Sequence, residues 1–117
     1  MGPLTAGSIV LIPFPFSDLS RSKLRPAVVV AYVGRDDWIL CQVTSKPYAD
    51  PDAVEITDKD FEVGSLHVIS YARPGKLFTA HSGIFTRHVG RLTYDAFERI
   101  VGAIVRILEE AKDAYGK

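Results

Sequence analysis

Two polar clusters carry the residue types from which a phosphate site could be built, and each lies at the end of an apolar run. The first is "DLSRSKLRP" at 18–26, and the second is "VTSKP" at 43–47. An arginine fork donates two hydrogen bonds to phosphate oxygens and stays charged, and a hydroxyl group can add a further donor. The clusters therefore indicate a site in which Arg25, with Thr44 or Ser45, binds one phosphate group.

The elements that must position the first cluster are two strands. The apolar, β-branched run "SIVLIPF" predicts a strand that ends or reaches a sheet edge at Pro13 and Pro15, with a loop from about Phe14. Proline disfavours helical backbone in the residue before it, so Pro26 favours an extended Arg25. The run "PAVVVAYV" then predicts a strand buried on both faces. Arg25 is expected at the mouth of that strand.

The rest of the chain predicts more short strands and one helix. "DWILCQVT" follows a hairpin-like turn at 34–37, "AVEIT" alternates, and "LHVISYA" and "KLFTA" are separated by the turn signal "RPG". At least five short strands indicate a small barrel. Thr93 is the expected N-cap of a C-terminal helix. Its predicted core stripe is Tyr94, Phe97, Val101, Ile104, Leu108, Ala111 and Tyr115.

Length and composition indicate one domain over residues 1–117, since 47% hydrophobic residues in 117 suffice for one core. No run approaches the roughly 18 apolar residues of a membrane span, and no signal peptide is recognisable. A cytoplasmic protein without a membrane partner is expected. Cys41 lies within an apolar run and is expected to be a buried thiol.

The charge distribution and the motifs that the sequence lacks limit the kinds of functional site that the chain can have. The net charge is zero, but acids dominate 36–62, whereas 63–94 has cations and no acid. The cations of 63–94 belong either to one basic face or to ordinary solvated surface. The chain lacks a glycine-rich phosphate loop, a zinc-type Cys/His spacing and a Gly-x-Ser-x-Gly elbow. Neither a metal nor a cofactor is therefore expected.

Four segments in order resemble one known family. They are "GSIVLIPFPFSDLSRSKLRPAVVV", "WILCQVTSK", "SYARPGKLFTA" and "VGRL". Together they make the chain similar to the plasmid-maintenance toxins of the MazF/PemK type, the ribonuclease half of toxin–antitoxin pairs. The family pattern has Gly-Asp where this chain has Gly7-Ser8.

The resemblance implies a mainly β fold, a small SH3-like barrel with a C-terminal α-helix, and a homodimer with a cognate antitoxin as partner. It also implies metal-independent cleavage of single-stranded RNA, with Arg25 and Thr44 as the catalytic residues. Metal-independent cleavage is consistent with the chemistry of RNA, because the 2′-hydroxyl can attack the adjacent phosphate. The products are 2′,3′-cyclic phosphate and 5′-hydroxyl ends. The enzyme then has to position the strand, stabilise negative charge and move two protons.

Substrate-binding residues are expected around this pair. Ser17, Asp18 and Ser20 can hydrogen-bond base edges, and Arg21 and Lys23 can hold the RNA backbone. Phe14 and Phe16 either stack on unpaired bases or belong to the core. Ser45, Arg73 and Lys76 are further expected phosphate contacts.

The general base has no clear candidate in the sequence. Arginine, with a pKa above about 12, is a poor base. Three histidines remain, each either a base or a structural residue: His67, His81 and His88.

Two other functions fit the same sequence features. One is a non-nuclease toxin of the same barrel fold that inhibits DNA gyrase, although that family lacks the Arg-Pro and Thr-Ser pairs. The other is a non-enzymatic interaction module.

Overall fold

The computed structural model describes residues 3–15, 22–46 and 50–117 of the chain. Within these residues, seven strands form one antiparallel sheet in the order β4-β6-β3-β2-β1-β7-β5, followed by one C-terminal helix. In chain order the elements are β1 (Ser8–Pro15), β2 (Ser22–Gly34), β3 (Asp37–Thr44), β4 (Val54–Ile56), β5 (Phe61–Gly64), β6 (Ser70–His81), β7 (Arg87–Leu92) and α1 (Tyr94–Tyr115). The sheet curls into a half-barrel, so the predicted mainly β fold with a C-terminal helix is confirmed.

The prolines of β1 lie where that strand has a neighbour on one side only. β7 pairs with β1 from Ser8 to Leu11, whereas β2 continues alongside as far as Pro15. Proline has no backbone N–H group to donate. Because β7 does not extend alongside Pro13 and Pro15, no hydrogen bond between β1 and β7 is lost at these residues. The predicted sheet edge is confirmed, but β1 continues through Phe14 to Pro15, so the prediction of a loop from Phe14 is wrong for these two residues.

The hairpin between β2 and β3 forms as the sequence predicts. Its two central residues, Arg35 and Asp36, have φ angles of 55° and 61°. Positive φ at both positions is the type I′ geometry whose twist matches that of the flanking strands. β2 begins at Ser22 rather than Pro26, so Arg25 is an interior residue of a longer strand.

One predicted turn is wrong. The stretch around "RPG" does not separate two strands, because β6 runs from Ser70 to His81 without interruption. The register against β3 shifts instead: Val43 pairs with Ala72, whereas Cys41 pairs with Leu77. The extra residues of β6 bulge out of the ladder, and a bulge accommodates proline and glycine inside a strand.

The two faces of the sheet carry two separate apolar clusters. The first cluster joins α1 to the sheet through Ile9, Val28, Cys41, Val43, Ile56, Ala72, Leu92, Ala96, Ile100 and Ile104. The second cluster consists of Val10, Ile12, Ala27, Val29 and Leu40. Ala27, Val28 and Val29 are all fully buried, so β2 is buried on both faces there. The prediction is wrong for the end of the run, where Tyr32 and Val33 are exposed.

The helix begins as predicted but buries a different stripe. The Thr93 side chain accepts a hydrogen bond from the backbone N–H of Ala96 at 3.2 Å, which confirms the N-cap. The buried positions are Ala96, Ile100, Ala103 and Ile104. The predicted stripe is wrong for most of its members: Tyr94 and Leu108 are exposed, and Tyr115 retains 93% of its accessible surface. In the described part of the chain, no helix is long and apolar enough to span a membrane.

Candidate functional site

Strand register brings the two residues of the predicted catalytic pair opposite each other. β2 and β3 pair Ala27 with Gln42 and Val28 with Cys41. The same register continued by two residues sets Arg25 opposite Thr44. On its other side, Arg25 pairs with Ile12 of β1. Because side chains alternate along a strand, Arg25 and Thr44 belong to the face that carries the second cluster.

Both residues line one cavity at the ends of β2 and β3, here named the Arg25–Thr44 cavity. Its volume is about 240 Å³, and its wall also contains Lys23, Ser45 and Ser70. The other described residues of the wall are apolar, and none is a carboxylate: Leu11, Leu24, Pro26, Val43, Leu66 and Val68. Two cations and three hydroxyl groups on a wall without a described acid are suited to an anion, as the two polar clusters indicate.

The Thr44 hydroxyl is held by its own backbone. Its Oγ1 accepts a hydrogen bond from the N–H of Lys46 at 3.1 Å. A hydroxyl oxygen that accepts in this way keeps its O–H for donation to another acceptor. Thr44 can therefore act as a fixed donor toward a group bound in the Arg25–Thr44 cavity.

A buried serine completes the far wall of this cavity. Ser70, which opens β6, is 2% exposed, and its hydroxyl donates to the carbonyl of Val68 at 3.1 Å. The sequence analysis assigned Ser70 no role. Its only signal was its place at the start of the segment "SYARPGKLFTA".

Ser8, which stands where the family pattern has aspartate, makes a local hydrogen bond. Its side chain is fully buried, and its Oγ accepts from the backbone N–H of Thr5 at 3.1 Å. A hydroxyl at this position thus still ties the N-terminal segment to β1.

The acidic segment neutralises part of the basic one. Within residues 3–15, 22–46 and 50–117, three ion pairs join residues far apart in the chain: Arg73–Asp50 at 2.9 Å, Arg91–Glu62 at 3.1 Å and Arg99–Asp60 at 2.7 Å. The hydrogen bond from the Arg73 side chain holds the pKa of Asp50 below its usual value. Arg73 and Arg91 therefore add little uncompensated charge to a basic face.

Lys76 lies in a different cavity from Arg25. This second cavity, of about 300 Å³, is lined by Phe14, Gln42, Lys76, Leu77 and Phe78. The rings of Phe14 and Phe78 meet edge to face, with centroids 5.2 Å apart. Phe14 thus packs against the second cluster, which is the core role considered for it, whereas stacking on a base stays a prediction.

The three histidines lie outside the Arg25–Thr44 cavity. His67 and His88 line a separate cavity of about 540 Å³ together with Arg87. His81 instead accepts a hydrogen bond through Nδ1 from the N–H of Gly83 at 2.9 Å. Among the described residues, no group of three or more His, Cys, Asp or Glu side chains is arranged to hold a metal ion.

Cys41 is a buried structural thiol, as expected. It is 0% exposed, and its Sγ donates to the carbonyl of Arg73 at 3.2 Å. Burial raises its pKa to about 12, so the thiol stays protonated at neutral pH. A protonated, buried thiol is a poor nucleophile.

Several predicted substrate-binding residues fall outside the described residues. These are Ser17, Asp18, Ser20 and Arg21. Phe16, considered for stacking or for the core, lies outside them as well. Their roles stay predictions.

The family of the chain follows from a match over most of its length. The model of PemK-like, MazF-like toxins of type II toxin–antitoxin systems matches residues 5–108. The chain therefore belongs to this family of toxins. Among curated proteins, none matches the chain in sequence.

Solved structures share the fold at low sequence identity. MazF in a MazE–MazF crystal structure from Deinococcus radiodurans superposes with a TM-score of 0.71 at 17% identity, covering 89% of this chain and 94% of that one. An endoribonuclease in complex with its cognate antitoxin, from a mycobacterial species, gives 0.69 at 14%, covering 93% and 96%. Mycobacterium tuberculosis toxin MazF-mt6 gives 0.63 at 12%, covering 86% and 96%.

Proposed function

We propose that this chain is a metal-independent endoribonuclease toxin that cleaves single-stranded mRNA. The proposal depends on one observation: a single cavity is lined by Arg25, Thr44, Ser45 and Lys23, and none of the described residues that line it is a carboxylate. Membership of the MazF-like toxin family supports it further, as does the similarity of the fold to endoribonuclease structures from mycobacterial species.

The reaction needs no nucleophile from the protein. The 2′-hydroxyl oxygen attacks the adjacent phosphorus, the O2′–P bond forms, and the P–O5′ bond breaks. The proton lost from the 2′-hydroxyl passes to a base, and the leaving O5′ takes up a proton. The products are a 2′,3′-cyclic phosphate and a 5′-hydroxyl.

The protein's contribution is to stabilise the charge that develops on the phosphate. Arg25 donates its fork to the non-bridging oxygens, and Thr44 donates its O–H to the same group. Lys23 holds a neighbouring phosphate as a point charge. The two proton transfers are assigned to no histidine, since none lines this cavity.

Chelation tests the metal-independent part of the proposal. Arg25 and Thr44 supply the charge stabilisation that a metal would otherwise give, so cleavage should persist at its full rate in EDTA. The products should resist 5′-phosphate-dependent exonuclease and become labelled by kinase at the 5′-hydroxyl. Products with a 5′-phosphate, or activity lost in EDTA and restored by magnesium, would contradict the mechanism. A purified chain that cuts no RNA but inhibits gyrase would favour the alternative toxin.

A cognate antitoxin is the proposed protein partner. The Deinococcus and mycobacterial toxins with this fold are known as complexes with their antitoxins. A short upstream reading frame encoding an acidic protein would supply such a partner here, and its charge would complement the Arg25–Thr44 cavity.

A homodimer is proposed through the sheet face that carries the second cluster. Trp38, Phe78 and Phe85 pack on this cluster while remaining partly exposed, and Tyr32 beside Trp38 is 53% exposed. Apolar surface of this kind marks an interaction site, and a two-fold interface would let two copies cover it.

Sedimentation tests the dimer. The parent should sediment as a dimer at micromolar concentration, whereas Trp38→Arg should be monomeric because a charge would be buried in the interface. Tyr115→Arg is the matched control, since Tyr115 is almost fully exposed at the end of α1. A parent that is monomeric at micromolar concentration yet fully active would rule out a functional dimer.

A further inference from the structure

The connection between β5 and β6 forms part of the wall of the Arg25–Thr44 cavity. It consists of residues 65–69 and is here named the wall segment. Strand pairing ends at Gly64 and resumes at Ser70, and between them Leu66 and Val68 line the cavity. The shape of the cavity therefore depends on what fixes the wall segment, because the sheet does not include it.

The Ser65 side chain ties the start of the wall segment to a neighbouring turn. Its hydroxyl donates to Oδ1 of Asp58 at 2.6 Å. The same oxygen accepts from the backbone N–H of His67 at 2.8 Å. One serine hydroxyl can make both bonds, because it has one O–H donor and lone pairs that accept. Ser65 thus joins the backbone of the wall segment to Asp58.

The backbone at His67 has a conformation that needs such support. Its φ angle is 63°, in the left-handed region that residues other than glycine adopt at a cost in free energy. A residue keeps such a conformation where the surrounding contacts hold it, and the hydrogen bond from its N–H to Ser65 is one such contact. Weakening that contact should let the wall segment relax toward more common backbone angles.

Asp58 belongs to a turn that is fixed to the C-terminal helix. It begins a short 3₁₀ helix, Asp58–Asp60. The Asp60 carboxylate accepts from the Arg99 guanidinium at 2.7 Å, and its backbone carbonyl accepts from the N–H of Thr93 at 2.7 Å. The hydrogen bond between Asp58 and Ser65 therefore connects the wall segment to a turn that α1 holds in place.

Val68 is the lining residue whose position depends most on these hydrogen bonds. Leu66 packs against the first cluster, whereas the Val68 side chain is 58% exposed. At the end of the wall segment the Val68 carbonyl accepts from the Ser70 hydroxyl at 3.1 Å, and Ser65 supplies the second tie at its start. A segment held at both ends presents Val68 in one orientation, and a segment held at one end does not.

We propose that Ser65 and Asp58 are positioning residues for the cleavage reaction and act through Val68. The proposal rests on the proposed ribonuclease function. An apolar side chain at the rim of this cavity excludes water from a bound phosphate, and hydrogen bonds to developing charge are stronger where water is excluded. A displaced Val68 would admit water and weaken the donation from Arg25 and Thr44.

The first test breaks the hydrogen bond from each side. Ser65→Ala and Asp58→Ala should each lower the single-turnover rate at saturating RNA by about tenfold, since misplacement by about 1 Å can cost about 100-fold. RNA with 2′-deoxyribose at the cleaved position, here named deoxy-substituted RNA, cannot be cut and measures binding. Its affinity should change by less than about twofold, because the ground-state contacts remain.

A double-mutant cycle shows whether both residues act through one bond. The variant that carries Ser65→Ala and Asp58→Ala together should be no slower than either single variant, because both changes remove the same hydrogen bond. Losses that multiply would contradict a shared bond.

Conservative variants separate the hydrogen bond from the charge. Asp58→Asn keeps an oxygen that accepts from Ser65, so it should stay within about threefold of the parent rate. Glu55→Ala is the matched control for Asp58→Ala, because Glu55 is an exposed acid that lines the same surface cavity as Asp58. It removes a similar charge and keeps the bond to Ser65, so its rate should equal that of the parent.

Two neighbouring side chains test the route through Val68. Val68→Ala should slow cleavage by about tenfold, and adding Ser65→Ala to it should slow cleavage by about twofold or less. Ile69→Ala is the matched control, because Ile69 is similarly exposed, at 55%, but does not line the Arg25–Thr44 cavity. Equal rates for Val68→Ala and Ile69→Ala would contradict the assigned route.

Amide hydrogen exchange measures the tie in the absence of RNA. The N–H of His67 should exchange about tenfold faster in Ser65→Ala and in Asp58→Ala than in the parent, because the wall segment opens more often. The amides of β3 should keep their protection, which shows that the fold is intact. Unchanged exchange at His67 in both variants would contradict the tie.

The outcomes distinguish this proposal from the one on which it rests. A folded Ser65→Ala that cuts as fast as the parent, or that loses rate and affinity equally, overturns the positioning role and leaves the ribonuclease intact. If Ser65→Ala does not fold, Asp58→Ala decides by the same criteria, since Asp58 lies on an exposed turn. A parent that cuts no RNA overturns both proposals.

Discussion

Arg25→Ala should cut RNA at least about 100-fold more slowly than the parent at saturating substrate while remaining folded. Arg25 lines the Arg25–Thr44 cavity and is the cation that strand register sets opposite Thr44. Losing one fixed donor to developing charge costs on the order of 100-fold to 1,000-fold in rate. Affinity should fall much less, because the ground-state phosphate keeps its other contacts. Single-turnover cleavage and binding of deoxy-substituted RNA measure the two effects separately.

Two further substitutions make the comparison decisive. Lys23→Ala should show the opposite pattern. It should bind RNA more weakly, and the slope of log K against log salt concentration should be shallower by roughly 0.7 because one phosphate contact is lost. Its cleavage rate at saturating RNA should be nearly unchanged. Arg106→Ala removes an exposed helix arginine that lines neither the Arg25–Thr44 cavity nor the cavity beside Lys76, so it should alter neither quantity. If folded Arg25→Ala cuts as fast as the parent, the "RSKLRP" segment serves binding alone.

The placement of Arg25 and Thr44 was predictable only in part. Pro26 favours an extended Arg25, and "DWILCQVT" is bounded by turn residues, so the extended Arg25 and the strand β3 can be read from the sequence. The alignment of the two residues cannot, because counting from the hairpin pair Gly34–Asp37 would set Arg25 opposite Lys46. Two shifts in the pairing of β2 with β3, between Val29 and Ala31 and between Tyr32 and Gly34, change the register by two residues.

The wrong predictions concern features that depend on contacts between distant parts of the chain. The helix has apolar residues on more than one side, and its contact with the sheet buries Ala96 and Ile100, which the predicted stripe lacked, and leaves Tyr94 and Leu108 exposed. Periodicity alone cannot choose between two apolar stripes. The bulge in β6 likewise depends on pairing with β3, which the turn signal "RPG" does not report.

The ion pairs and the residues that line each cavity could also not be predicted from the sequence. Arg73 was expected to contact phosphate, but its partner Asp50 lies 23 residues away in the chain, and the pairing depends on the fold. The cavity beside Lys76 likewise depends on the fold, because Phe14 of β1, Gln42 of β3 and Lys76 of β6 border the same space.

Thr44→Val should slow cleavage by about 100-fold at saturating RNA. Valine keeps the shape of threonine but removes the O–H that is available to donate to the phosphate, since the oxygen already accepts from Lys46. Binding of deoxy-substituted RNA should change by less than about threefold, because the lost bond strengthens only as charge develops.

Thr44→Ser is the matched rescue for this prediction. Serine retains the hydroxyl and its hydrogen bond from the backbone, so it should stay within about tenfold of the parent rate. Thr79→Val makes the same chemical change at an exposed position of β6 and should leave the rate unaltered. Thermal unfolding of all three variants checks that the loss of the acceptor for Lys46 has not disturbed the fold. A folded Thr44→Val that cuts at the parent rate would remove Thr44 from the mechanism, leaving Arg25 and Ser45 as the donors to test.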